Sequence, residues 1–154
     1  MRLDELLLPD AVKTLTSTSS KKRLFHELGD MAHARFGLQS ESVADALMER
    51  EGLGPTGVGH GIALPHARMQ GLDAVRGLFV RLEKPLDFDA VDRQPVDLVF
   101  ALLAPLNAGV EHLKALALVS RTMRERGLCT KLRANEDPAI LHTILTQTEA
   151  NQAA

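Results

Sequence analysis

Cysteine is nearly absent from this sequence, long apolar runs are missing and neither sign of charge dominates; each shortage closes a class of protein. Cys129 is the one cysteine, so no disulfide forms within the chain, and a reducing cytoplasm is the simplest setting. The longest run free of both charged residues and histidine, Leu98 to Val110, is broken by Pro105 and Asn107 and falls short of the roughly 18 apolar residues a spanning helix needs, so no membrane insertion is expected. Arg2 is followed by Asp4 and Glu5 and then only by Leu6 to Leu8, too short for the apolar core of an export signal. With 18 Lys and Arg against 20 Asp and Glu the formal charge is −2, and the basic face that a nucleic-acid partner requires is not expected. No Gly-Lys-Ser/Thr ending marks a nucleotide loop, and no H-E-x-x-H or paired cysteine marks a zinc site.

What remains is a globular mixture, 45% hydrophobic and 25% charged, over 154 residues, a length suited to one domain spanning 1–154. Ala11 to Thr16 reads as a short strand. Leu24, Phe25, Leu28, Met31, Ala32 and Phe36 recur at helical intervals between a Ser/Thr cluster ending at Ser20, which supplies the cap, and Gly37, which supplies the stop. Lys21 and Lys22 lie in the first turn of that helix, against its dipole, and read as a solvated face. A second helix begins at Ser40 or Ser42, turns Val43, Ala44, Leu47 and Met48 inward, and ends at Gly52 or Gly54. Gly61 to Leu64 and Leu78 to Leu82 read as strands, the latter closed by Pro85. Leu98 to Ala104 is apolar throughout, as suits a central strand covered on both faces. A helix of about five turns follows Gly109, with Leu113, Leu116, Val119, Ser120 and Met123 on one side. Asp137 and Pro138 start a short amphipathic helix through Ile140, Leu141, Ile144 and Leu145, and the Asn151 to Ala154 tail is expected to fray. The order predicts an α/β fold: a single mixed β-sheet flanked by helices on both faces.

The organising stretch runs from Gly54 to Arg68, with four glycines and two histidines in a segment unsuited to a helix. Pro65 fixes its own φ and favours an extended neighbour, so His66 is presented rigidly at a strand end, where an imidazole can serve as nucleophile, base or ligand. The Gly57, Gly59 and Gly61 spacing is not that of a dinucleotide loop. A phosphoryl group fits better, since it asks for backbone N–H donors, a helix N-terminus and a planar guanidinium. The glycines, the helix turn carrying His112, and Arg50 at the end of the second helix are the candidates for these. The plainer reading of Arg50 is a basic residue suited to a helix C-terminus. Metal binding by His60, His66 and His112 in a metallohydrolase is the alternative from another class, while His26, His33 and His142 fall within helices and read as ordinary histidines. Cys129, near Arg124, Arg126 and Lys131, reads as a plain surface or core thiol.

Gly54-Pro-Thr-Gly-Val-Gly-His-Gly-Ile-Ala-Leu-Pro-His66, preceded by Arg50-Glu51, resembles the signature of the mannitol/fructose class of phosphotransferase-system enzyme IIA domains. Gln94 to Pro105 and Glu111-His112-Leu113 extend the likeness over nearly the whole chain. It is most similar to the stand-alone nitrogen-regulatory branch. The resemblance implies that His66 accepts the phosphoryl group, that His112 supports it and that Arg50 contacts it. It implies a small histidine-containing phosphocarrier protein as donor, regulatory target proteins as further partners, and no cofactor or metal. A sugar-specific IIA passing phosphate to a transporter IIB domain is the alternative within the family, and an interaction module with a vestigial site is a third reading. Pro55 stands where the family commonly has serine, and His60 where it usually has asparagine.

Overall fold

The computed structural model describes the backbone of residues 1–153 and the side chains through residue 147. In chain order the elements are α1 (Leu3–Leu6), β1 (Val12–Leu15), α2 (Lys21–Phe36), α3 (Ser40–Leu53), β2 (Gly57–Gly59), β3 (Ile62–Ala63), β4 (His66–Met69), β5 (Arg76–Leu86), β6 (Val96–Pro105), α4 (Val110–Met123), α5 (Arg126–Arg133) and α6 (Pro138–Ala153). The strands form one mixed sheet in the order β1-β5-β6-β3-β2, and β4 also pairs with β6. β1 runs parallel to β5, β5 antiparallel to β6, and β3 and β4 both parallel to β6. The architecture is the expected one, a single mixed sheet with helices packed on it.

Every residue from Leu98 to Ala104 is at most 1% exposed, which is why β6 reads as an unbroken apolar run: it lies under cover on both faces. β3 and β4 share one edge of β6 in succession, Ile62 opposite Leu98 and His66 opposite Leu102. Between them Pro65 has no N–H to give, yet its carbonyl still accepts from Leu102 N at 2.9 Å, so the edge stays tied across the gap.

The caps of α2 are those expected: Ser20 accepts from Arg23 N at 3.1 Å, and Gly37 closes the helix at φ 72°. Several boundaries differ. β5 continues to Leu86 through Pro85, which sits where the β5–β6 register shifts between Arg81 and Leu86, so no ladder bond is lost there. α4 has 14 residues, about four turns, and the chain then breaks into the separate α5, which the sequence did not announce. The buried side of α4 is His112, Ala115, Leu118, Val119, Thr122 and Met123, while Leu113 is 63% exposed. Of the face expected inward, Val119 and Met123 are buried, Leu116 and Ser120 partly so, and Leu113 alone turns out; a histidine and a threonine complete the inner face. Met48 and Ile140, expected inward, face outward, and Gln39 rather than a serine occupies the N-cap position of α3. α1 was not foreseen; it buries Leu3 and Leu6. Asp137 accepts from Ala139 N at 2.9 Å, as expected of a cap. α6 extends through Ala153 rather than stopping near Leu145, and the end of the tail expected to fray, Ala154, lies outside the described residues.

The hairpin of α2 and α3 depends on Gly29. A Cβ there would fall well inside contact distance of the Ser40 backbone carbonyl, so the helices meet only where a side chain is missing. Gly29→Ala is expected to lower stability by about 1–3 kcal/mol, despite alanine's better helix propensity. The midpoint of urea unfolding measures this; an unchanged or raised midpoint would contradict the close approach.

Candidate active site

His66 opens β4, and its Nδ1 lies 2.9 Å from the carbonyl oxygen of Leu64. A carbonyl only accepts, so the proton is on Nδ1 and Nε2 carries the lone pair. Arg50 agrees with this tautomer: its Nε donates to His66 Nε2 at 3.3 Å, while Nη1 donates to the Gly54 carbonyl at 2.9 Å. The guanidinium is thus fixed between the end of its own helix and the imidazole. Burial pushes the His66 pKa below the ordinary 6.5; the Leu64 bond opposes this, the Arg50 charge adds to it and the Glu51 charge opposes it.

His112 sits in the first turn of α4, 6% exposed, with its ring centroid 5.6 Å from that of His66 and the planes at 51°. Burial lowers its pKa too, followed by the charges of His66 and Arg68. Its Nδ1 is buried without a hydrogen-bond partner. Such an atom carries a desolvation penalty that an incoming polar group can relieve.

Above the two rings lies an open cavity of about 400 Å³, walled by Glu49, Arg50 and Leu53 on one side and by His66, Arg68 and His112 on the other. The structure therefore gathers His66, His112 and Arg50. It does not bring the glycines with them: Gly57 and Gly59 form β2, paired with β3, and none of the loop glycines lines the cavity. Gly57 packs on Ala90, where a Cβ would come within 2.8 Å, and Gly61, at φ 77°, has Arg133 and Asp97 pressed against it. The alternation of glycines serves close packing and a tight turn rather than a phosphate cradle. His60 stands in that turn, at φ 57°. Among the described residues no three His, Cys, Asp or Glu side chains gather where a metal ion could be held, so the ligand set of a metallohydrolase is not assembled.

Two residues at the site escaped the sequence reading. Arg68 follows His66 by two positions on β4, a spacing that puts both on one face of a strand, and it supplies a second guanidinium to the cavity. Glu51 is 8% exposed and accepts from Thr56 N at 2.9 Å, from Thr56 Oγ1, and from Lys21 Nζ at 3.2 Å. Lys21 also lies 5.0 Å above the ring of Phe88. The lysine that opposes the α2 dipole is thus no solvated face but the counter-ion of a buried carboxylate. Glu51 holds the chain after Pro55 against the end of α3, one residue from Arg50. An acidic residue in the last turns of a helix, against its dipole, was the available signal.

The fold and this constellation define a component of the phosphotransferase system. Residues 5–148 match the family described as phosphoenolpyruvate-dependent sugar phosphotransferase system, EIIA 2, and the chain belongs to that family. It is 41% identical over 153 residues to a nitrogen regulatory protein of Bradyrhizobium diazoefficiens, covering 99% of this chain and 100% of the relative. The crystal structure of nitrogen regulatory protein IIA-Ntr from Neisseria meningitidis superposes with a TM-score of 0.85 at 36% identity, covering 94% of this chain and 99% of that one. The mannitol IIA of Escherichia coli shares the fold, with a TM-score of 0.72 at 18% identity, over 88% of this chain and 96% of that one.

Replacing Glu51 by Gln puts an NH2 among three donors; a loss of about 1–3 kcal/mol is expected, read from the unfolding midpoint. Both site histidines have folded pKa values below 6.5. As pH falls through 6.5 the unfolded chain takes up protons first, so stability present above 6.5 is lost on the acid side. The melting temperature is expected to drop as pH is lowered from 7 to 5, and to drop less in His66→Gln. An identical pH dependence in the two proteins would remove His66 as a source of that loss.

Proposed function

We propose that this chain, as one domain over 1–154, carries phosphate on His66 Nε2 in a nitrogen-regulatory phosphotransferase chain. The donor is a small histidine-containing phosphocarrier protein, and the partners regulated are proteins that read the phosphorylation state. The observation that carries the reading is the fixed neutral tautomer of His66, with its Nε2 lone pair directed at the Arg50 guanidinium.

In the transfer, the Nε2 lone pair forms a bond to phosphorus as the donor's P–N bond breaks, and the donor nitrogen keeps that electron pair. The donor's phosphoimidazolium becomes a neutral imidazole, and His66 becomes a phosphoimidazolium. The Nδ1 proton stays in place, and its bond to the Leu64 carbonyl strengthens as the ring gains charge. No proton has to move, so positioning and charge stabilisation account for the catalysis. Arg50 releases Nε2 to the phosphorus and takes the phosphoryl oxygens, joined by Arg68. His112, kept neutral, donates to the same oxygens. No step calls on ATP, a cofactor or a metal.

The rim of the cavity carries Leu53, 84% exposed, and Val110 and Leu113 stand exposed on the first turns of α4, giving partner proteins an apolar surface to meet. Phosphorylation places about −1.5 to −2 charges beside it, enough to change which partner binds. Nitrogen-regulatory relatives match at 41% and 36% identity over 99% and 94% of this chain, whereas a fructose-specific EIIA component of Haloferax volcanii matches at 36% over 70% of it, and this fuller likeness favours the regulatory branch over sugar transport.

Incubation with phosphoenolpyruvate and the general phosphotransferase proteins, followed by intact-mass measurement, is expected to show one acid-labile phosphate on the wild type and none on His66→Ala. Full labelling of that variant would overturn the assignment. The acid-side fall in uptake is expected at a lower pH than an ordinary imidazole would give, since burial lowers the His66 pKa. Arg50→Lys and His112→Ala are each expected to slow uptake by roughly ten- to a hundredfold, with His112→Gln recovering part of the rate. Wild-type rates in all three would reduce both residues to packing.

A further inference from the structure

A second cavity, of about 840 Å³, is about twice the volume of the one above the histidines and lies away from it, between the C-terminal half of α4, α5 and the β2–β3 turn. Its floor is apolar, made by Ile62, Leu64 and Met123, all at most 7% exposed. Its rim is cationic, with Arg124, Arg126 and Arg133, and no Asp or Glu lines it.

The three guanidiniums are in different states. Arg133 is committed: Nε donates to Asp97 Oδ2 at 2.8 Å, and Nη2 to Asp97 Oδ1 at 2.9 Å and to the His60 carbonyl at 2.7 Å. That pairing neutralises Asp97 and braces the β2–β3 turn, so it forms one wall of the cavity. Arg124 and Arg126 are exposed, and among the described residues their guanidiniums have no hydrogen-bond or ion-pair partner. Two uncompensated planar cations thus stand over an apolar floor, in a chain whose formal charge is −2. Ser120 adds a hydroxyl to the lining, while the Thr130 hydroxyl donates to the Arg126 carbonyl at 3.0 Å.

We infer that this cavity binds a small organic anion, a carboxylate or phosphate ester joined to an apolar body. The head pairs with the forks of Arg124 and Arg126, which match either anion bidentately, and the body lies on Ile62, Leu64 and Met123. The volume is that of a small-molecule site, and its combination of apolar lining with a few convergent polar groups is the usual one. The site has a short connection to the histidines. Leu64 forms part of its floor and also gives the carbonyl that holds the His66 Nδ1 proton. α4 carries Ser120, Met123 and Arg124 at one end and His112 at the other.

The test needs no phosphoryl transfer, so its failure is separate from that of the function proposed above. Sodium octanoate and octyl phosphate, each below its micelle concentration, are titrated into the full-length chain and followed by 1H–15N correlation spectra. Saturable shifts are expected at residues 58–64 and 120–133, with Arg50 and Arg68 unmoved. Binding of either probe supports the site, and the better one identifies the head group. Charge reversal in Arg124→Glu/Arg126→Glu, at exposed positions, is expected to weaken binding about tenfold or more, and Arg124→Gln/Arg126→Gln by less. Thr130→Trp, which fills the cavity, is expected to abolish binding without altering the remaining spectrum. The inference is overturned if neither probe gives saturable shifts, if the shifts fall around His66, or if the charge-reversed variant binds as tightly as the wild type.

Discussion

The bond from His66 Nδ1 to the carbonyl of Leu64 is the constraint on which the site depends. It decides which ring nitrogen carries the lone pair and holds the ring against rotation, and in the proposed transfer it provides an acceptor for the proton that remains when the ring becomes cationic. The bond exists because Pro65 turns the chain between two short strands. Ala63 ends one pairing with β6 and His66 begins the next, so Leu64, between the two strands, turns its carbonyl to the imidazole. The sheet is in this sense a device for separating residues 64 and 66 by a fixed geometry.

Around that bond the supporting groups are arranged in ranks. Arg50 touches the imidazole, Gly54 fixes Arg50, and Glu51 fixes the segment after Gly54 through Thr56. Lys21 makes the buried Glu51 carboxylate tolerable, and it comes from a different helix. The α2–α3 hairpin, held close by Gly29, thus belongs to the site's support as much as to the core. Removing one member of a buried charged set leaves the others unpaired, a heavier loss than the pair itself is worth.

Much of this was legible in the sequence. The unbroken apolar run of β6, the capped helix α2, and the Pro65-His66 presentation all follow from local rules, and each appears where those rules put it. The gathering of Arg50, His66 and His112 was given by resemblance to a family, because no periodicity states which distant segments meet. The errors fall where polarity was taken as a guide to exposure: Lys21 reads as a solvated face yet is half-buried against Glu51, and Leu113 reads as inward yet is exposed, while His112 and Thr122 lie on the inner face of α4. The glycines misled in the opposite direction. Their freedom was read as access for a ligand, whereas Ala90, Asp97 and Arg133 occupy the space that absent side chains leave.

The position of β4 in the sheet has a consequence for the chain as it is made. His66 pairs with Leu102, 36 positions later, and meets His112 later still. During synthesis the histidine emerges well before the strand that seats it and the helix that covers it. An emerging chain has the imidazole but neither the edge that orders it nor the low-dielectric surroundings that keep it neutral. Under the proposed function, competence to receive phosphate is therefore a property of the finished fold.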